Sequence, residues 1–540
     1  MNNINSVLLK KPKRNRFNLS RVNKLTCEAG QVIPFLVEEM LPTDSFKVAT
    51  ANRIRLAPQV LPVMHDVYVD MYFFFVPSRI LWPNWEEFIT GGKDGTSAPL
   101  FPFIYPYSSV AAGSPGTLFD YLGIPTNFKA GTASPLFPKF SALPLSAYVK
   151  LWNDYFRDEN FQEELPFECV DGLNDVDHGS LWSSIYNVSS GGNVWQKSVL
   201  SPFYASWKKD YFTSALPSAQ RGTPVTLPLS GDVLDVEMTG SKNPVKARVA
   251  ATGDVSGGTN ISLSNGNLQN NSGSGQLINL DPNGTLGVDL SDLTAVNIVE
   301  LRRAFKLQEF LERNNVGGAR YTEILRAHFG QRSQDSRLQR AEFVGASHNP
   351  IMFEAVYQNS ASIEGSPLGD FAGRAASVGG QAPIKYYAKE HGWFMGVMVI
   401  RPRPEYQNVT RRHWLHGLQD KFDFFWPTLA HIGDQPILNR ELFTQGTEVD
   451  NQEFGYTARY QEYRSAMSET HGEMQTTLKQ FHMNRIFETL PPLNQSFMNC
   501  NPRTDMFAVS DGNISDHYWC ELAIGLSAKR PVPKFGTPML

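Results

Sequence analysis

Leu61-Pro-Val-Met-His-Asp-Val-Tyr-Val-Asp-Met-Tyr-Phe-Phe-Phe-Val76 is the stretch whose pattern decides the fold. Val67, Val69, Met71, Phe73 and Phe75 fall on one side of an extended chain, and Tyr68, Asp70, Tyr72 and Phe74 on the other. A period of two in β-branched and aromatic residues is the signature of a strand. Pro62 and Pro77 bound it, because proline has no amide hydrogen to give to a ladder. Trp393-Phe-Met-Gly-Val-Met-Val-Ile-Arg401 repeats the pattern and ends at Pro402 and Pro404. The two segments are predicted to be strands of one β-sandwich, although more than 300 residues separate them. Most of the chain between them is then insertion.

Composition agrees with an all-β chain rich in loops. Of 540 residues, 41% are hydrophobic and 12% aromatic, enough for a large core built from strand-forming side chains. Gly and Pro together number 77, so turns and long connections are frequent. Cys27, Cys169, Cys500 and Cys520 form no CxxC pair, and the expectation is four reduced, mostly buried thiols. The apolar run Val7-Leu8-Leu9 is too short for a signal-peptide core, and no stretch has the roughly 18 apolar residues of a membrane helix. A soluble protein made in a cytoplasm is expected.

Outward from the strands, the chain changes character several times. Met1 to Thr26 carries Lys10, Lys11, Lys13, Arg14, Arg16, Arg21 and Lys24 without one acidic residue, against a chain charge of −4. Residues 1–26 are expected to form a flexible basic arm, either attractive to polyanions or merely solvated. Leu145, Val149, Trp152 and Phe156 follow helical spacing and predict a core-facing helix. The 92 residues from Thr213 to Ala304 contain no Phe, Trp or Tyr. Within them residues 223–293 hold 10 Gly, 8 Ser and 8 Asn, with alternations at Val233–Met238 and Asn260–Ser264 that suggest small hairpins. So little apolar material cannot build a large core, which leaves an exposed module or a linker. A helix is predicted over Val296–Arg313, entered at Asn297 and Glu300 and stopped by Gly317-Gly318. Between Arg302 and Arg340 nine basic residues face four acidic ones, as on a solvated helix or on a surface that meets nucleic acid or another subunit. Gly365–Gly392 is expected to be a loop.

Catalytic signatures are missing. There is no G-x-S-x-G or H-E-x-x-H, and Gly91-Gly-Lys-Asp94 lacks the hydroxyl that a phosphate loop places after lysine. His413 and His416 have helical ligand spacing but no third ligand close in sequence, and Arg411-Arg412 beside them would repel a cation. No catalytic residue, metal ligand or cofactor is therefore assigned.

Four blocks carry a resemblance. They are Pro34–Lys47 with Pro62–Met64, Tyr72–Arg79, Trp82 and Trp85–Phe88; Leu301–Phe305 with Leu311–Arg313, Gly317–Arg326, His328–Gly330 and Arg337–Arg340; Phe422–Gln435 with Glu453–Tyr456; and Thr489–Phe497. Together, and in this order, they resemble the major capsid protein of gokushovirus-type microviruses, small tailless phages with circular single-stranded DNA. The resemblance implies an all-β core, an eight-stranded antiparallel jelly roll with very long loop insertions that contain some helices. It implies one capsid domain over residues 27–540, within which the 223–293 segment stands where the family has a threefold surface protrusion. Implied partners are identical subunits in an icosahedral shell, packaged single-stranded DNA, scaffolding and small DNA-binding virion proteins, and a host surface receptor, with no membrane insertion. The implied place is the virion, assembled in the host cytoplasm. Lys10, Lys11, Lys13, Arg14, Arg16, Arg21 and Lys24 are the candidate nucleic-acid-binding residues. A carbohydrate-active β-sandwich enzyme and an adhesin are the competing readings.

Overall fold

The computed structural model describes residues 13–104, 115–125, 139–172, 201–223, 298–318, 320–332, 334–357, 371–418, 420–512 and 515–535, with Asn174, Val225 and six short strands between 236 and 288. Its core is made of ten strands: β1 (Asn15–Asn18), β2 (Arg21–Cys27), β3 (Ile33–Met40), β4 (Ser45–Leu56), β5 (Val67–Pro77), β6 (Glu342–Tyr357), β7 (Phe371–Gly380), β8 (Ile384–Tyr387), β9 (Gly392–Pro402) and β10 (Tyr518–Arg530). β1 and β2 lie end to end along β10, and β7 and β8 end to end along β4, so the ten strands occupy eight positions. One layer runs β1/β2–β10–β4–β7/β8 and the other β3–β9–β5–β6, every pairing antiparallel. This order is the eight-stranded jelly roll. The 16-residue β6 pairs with β5 through its first part and with β7 through its last, and so joins the layers at one side.

The two segments singled out in the sequence are direct neighbours, with Gly392 opposite Pro77 and Pro402 opposite Val67. Both layers contribute to one buried core: Phe46, Ile54, Leu522 and Ile524 from the first meet Val69, Phe73, Phe394 and Ile400 from the second. The Phe46 and Phe394 rings cross the interface edge-on, 5.7 Å between centroids. β5 and β9 are also buried on their other face. There Phe74, Val76, Met395, Val397 and Val399 pack under helix α1 (Leu143–Tyr155), where Tyr148, Val149 and Trp152 supply the stripe. That double burial explains the unbroken apolar runs of both strands. Insertions of 264 residues between β5 and β6 and 115 residues between β9 and β10 carry the helices. A third apolar cluster, around Phe212, Tyr406, Phe454 and Phe497, lies largely in the second insertion. All four cysteines are free and buried.

The chain divides into a compact unit of residues 1–219 and 313–540 and a second of residues 220–312. In the smaller unit Val236–Met238 pairs with Leu286–Val288, Arg248–Val249 with Ile278–Asn279, and Ile261–Ser264 with Asn267–Asn270. Each pair encloses the next in sequence, so the described strands form a nested series of antiparallel pairs. Helix α2 (Ile298–Gly317) follows and runs into the predicted stop; α3 is Tyr321–Phe329. The proposed cap at Asn297 lies outside the described residues.

Three expectations are corrected. The first strand begins at Val67; Leu61–Asp66 is not in the ladder, and the Met64 N–H donates to the Phe481 carbonyl of the second insertion instead (2.6 Å). Gly365–Gly392 is not a loop throughout, since β7 and β8 lie within it. In β7, Gly373, Ala375 and Ser377 are buried while Arg374, Ala376 and Val378 are exposed, a period of two written in residues too small to look like a strand. Nor is the N-terminal arm free along its whole length, because residues 15–18 and 21–27 are sheet strands.

Candidate nucleic-acid interface

The solvent face of the first layer is built by alternation. β4 puts Phe46, Val48, Ile54 and Leu56 into the core and leaves Lys47, Arg53 and Arg55 outside. β10 puts Cys520, Leu522, Ile524 and Leu526 inside and leaves Trp519, Glu521 and Lys529 outside. In register with these, β1 adds Arg16, β2 adds Lys24, β7 adds Arg374 and β8 adds Lys385. Eight cations thus share the face with two strand carboxylates, Glu521 and Glu354, in a chain whose net charge is −4. Arg374 is held by Glu354 (2.6 Å), and Arg53 lies 3.9 Å from Glu521. Arg16 sits opposite Lys529 and Lys47 opposite Lys385. Like charges directly across a ladder are destabilising unless counter-charge is supplied.

Trp519, 42% exposed, stands between Thr26 and Arg55 in the row across the strands. It forms one side of a cleft of about 740 Å³ with Lys24, Arg53 and Arg55; Gly116, Asp120 and Tyr121 form the other. Thr117 caps the short helix Leu118–Tyr121, and the Tyr121 hydroxyl donates to the Thr26 carbonyl (2.7 Å), fixing that wall to β2. Burial pushes the Tyr121 hydroxyl far above its ordinary pKa, so it remains a neutral donor. An exposed indole ringed by guanidinium and ammonium groups can stack a base and hold the phosphates beside it.

The seven residues proposed from sequence are dispersed. Lys10 and Lys11 lie outside the described residues. Lys13 is exposed ahead of β1. Arg14 donates to the Thr43 carbonyl (3.0 Å) and lies 5.7 Å from the Tyr387 ring centre. Arg21 is ion-paired with Glu38 of β3. Only Arg16 and Lys24 sit on the basic face. Sequence reading missed the other six cations and Trp519, although the alternation in Ser45–Leu56, with Lys47, Arg53 and Arg55 on its polar phase, carried a signal. His413 lies against Trp414, whereas His416 stacks on Tyr463 and approaches Glu462 (3.4 Å). Among the described residues no three His, Cys, Asp or Glu side chains are placed to hold a metal ion, and no helix is long and apolar enough to cross a membrane.

Jelly rolls with large insertions serve in viral shells as well as in lectins and cupins, and a sheet face this basic points to the shell-building class. The chain belongs to the family described as "Capsid protein (F protein)", whose model matches residues 6–540. It is 33% identical over 544 residues to capsid protein VP1 of Bdellovibrio phage phiMH2K, covering 97% of this chain and 95% of that one. It is 29% identical to capsid protein VP1 of Chlamydia phage 1 (98% and 96% covered) and 28% identical to that of Spiroplasma virus 4 (95% and 92%). The resemblance read from the four sequence blocks holds along the chain. The role is structural: a major capsid protein that associates with its own copies in the shell of a virion.

Proposed function

We propose that this subunit builds a small icosahedral shell around circular single-stranded DNA, with the basic face of the β1/β2–β10–β4–β7/β8 layer turned toward the genome. The surplus of cations on that face, with two like-charged pairs across the ladder, is the observation that carries the reading. Packaged DNA supplies the phosphates that relieve the repulsion. Arg16 and Lys24 stand on this face and Lys10, Lys11 and Lys13 precede it, so arm and sheet act as one polyanion-binding surface that grips phosphates and leaves sequence largely unread. Residues 27–540 act as one capsid domain, with the 223–293 hairpin as a surface protrusion that meets a host receptor. Assembly takes place in the host cytoplasm with scaffolding and small DNA-binding virion proteins, and no step requires catalysis.

The test compares single-stranded DNA binding by the full chain, by K24Q/R53Q/R55Q and by K10Q/K11Q/K13Q/R14Q/R16Q across a salt series. Each phosphate contact removed should flatten the slope of log K against log salt by roughly 0.7. The sheet variant should therefore lose about two units of slope, with its melting temperature little changed. Unchanged affinity and slope in both variants would remove the genome-facing reading. An effect confined to the arm variant would restrict the contact to the arm.

A further inference from the structure

The block Phe422–Gln435 belongs to the second insertion and does not lie on the basic face. Residues 411–432 form neither strand nor α-helix among the described residues, only three 3-10 turns at Arg412–Trp414, Lys421–Asp423 and Pro427–Leu429. This irregular segment displays Trp414, Leu418, Phe424, Phe425, Trp426 and Ile432, each 45–72% exposed. A large apolar side chain has roughly 150–250 Å² of surface in all, so at 45–72% exposure the six together present on the order of 700 Å². One partner in a stable protein interface contributes about 800 Å². Isolated subunits seldom expose this much large apolar surface within one short segment without a partner.

The display is held in place. Tyr460, almost fully buried, accepts from the Trp426 N–H (3.2 Å) and donates to the Phe424 carbonyl (3.2 Å), with its ring 5.0 Å from that of Phe425. The Trp426 indole donates to the Lys421 carbonyl (3.0 Å). His416 packs between Phe424 and Tyr463. The rings are therefore pre-organised, which lowers the ordering cost of binding.

Charge decides between occupants. Several cations near the patch are already engaged: Arg411 by Glu469, Arg412 by Glu441 (3.0 Å), and Arg459 by the Phe422 carbonyl (3.2 Å). Asp420 and Asp423 sit among Lys421 and Arg459, so both signs occur at the rim. An apolar centre within a rim of both charges is the anatomy of a protein interface, whereas a DNA platform pairs its aromatics with cations in excess. Leu418 and Ile432 offer a phosphate chain nothing.

We propose that this surface is a contact between copies of the chain, a second capsid subunit burying the Trp414–Ile432 patch in the assembled shell. The reading rests on the capsid role and not on which face meets DNA. Hydroxyl-radical footprinting with mass spectrometry on dissociated subunits, empty particles and DNA-filled particles tests it. Trp414, Leu418, Trp426 and Ile432 should oxidise at least ten-fold more slowly in both kinds of particle than in free subunits. Equal oxidation in all three would overturn the proposal, and protection confined to filled particles would replace the second copy with nucleic acid. The double variant L418D/I432D supplies an independent reading, because both side chains project from the core. It should melt as the parent does and fail to form particles; normal particle yield from a folded variant would also sink the proposal.

Discussion

Gly30 shows how one residue can hold the layers and insertions in register. Its φ of +82° is a conformation that side chains disfavour, and a Cβ there would lie 1.6 Å from the Cys500 carbonyl oxygen. The backbone has no room to yield. Gly30 N–H donates to Ile400 of β9 (2.7 Å), its carbonyl accepts from Ala205 (2.8 Å), and Cys500 N–H donates to Ala205 in turn (2.8 Å). Gly30→Ala should cost about 3–5 kcal/mol, from overpacking plus backbone strain, read as a fall in the urea midpoint. Gly95 also has positive φ but nothing within 4 Å of its Cβ position. Gly95→Ala should cost only about 1 kcal/mol of strain; equal losses would refute the crowding argument. His65 makes a second prediction at this scale. Its ring is buried, one nitrogen 2.9 Å from the Arg403 carbonyl and the other 3.5 Å from Glu405, and burial above all pulls its pKa down to about 4. A group whose folded pKa lies below its unfolded value of 6.5 contributes stability that is whole above pH 6.5 and lost as pH falls toward 4. The loss should be on the order of 3 kcal/mol. His517 works in the other direction. Burial pulls it down, yet the hydrogen bond and charge of Glu28 outweigh burial and raise it, so its contribution fades only above pH 6.5. The acid limb between pH 6.5 and 4 should therefore flatten in His65→Gln, as measured by urea midpoints across that range.

At the scale of elements, legibility in the sequence followed side-chain size and burial. β5 and β9 were readable because both faces are buried, one in the sandwich and one under α1, which forces near-continuous Val, Met and Phe. α1 was readable because Leu145, Val149 and Trp152 mark one stripe. β7 was not, since Phe371-Ala-Gly-Arg-Ala-Ala-Ser-Val-Gly-Gly380 has the composition of a loop. The packing supplies the reason. A Cβ on Gly373 would meet Gln59 Oε1 at 2.5 Å and the Leu61 carbonyl oxygen at 2.6 Å, and one on Gly379 would meet the Asn349 side chain at 2.5 Å. The strand has to be small because neighbouring backbone and polar side chains lie against it. Gly373→Val, favourable by β-propensity alone, should destabilise by about 2–3 kcal/mol, whereas Val378→Thr, at an exposed position of the same strand, should stay within about 0.5 kcal/mol. Thermal melts of the two variants decide the point; a stabilised Gly373→Val would mean that intrinsic propensity governs β7. The basic face was illegible for a related reason. The arm showed as a run of charge, but the sheet face draws on six strands far apart in the chain, and only register brings Lys24, Arg53, Arg374 and Lys529 together.

At the scale of the whole molecule the question is how a 540-residue chain keeps one sandwich while carrying insertions longer than the sandwich itself. Loop-closure entropy grows only logarithmically with length, so a long excursion between β5 and β6 adds little cost once its ends are fixed by strands. The first insertion also contributes α1, which covers the β3–β9–β5–β6 layer, and part of it therefore belongs to the core. Residues 223–293 differ. They contain no aromatic side chain, and their described strands pair only with one another. Val236–Met238 pairs antiparallel with Leu286–Val288, so the two ends of the hairpin return to the same place. A short Gly/Ser connection in its place tests whether the segment is dispensable. Deleting residues 223–293 in this way should leave a folded sandwich whose urea midpoint shifts by no more than about 1 kcal/mol equivalent. Particle formation should persist, and attachment to the host should be lost. Removing α1 would be a different operation, because it uncovers Phe74, Met395 and Val397 and should abolish folding. A deletion variant lacking 223–293 that fails to fold would show that the hairpin stabilises the sandwich, and the protrusion reading would fall with it.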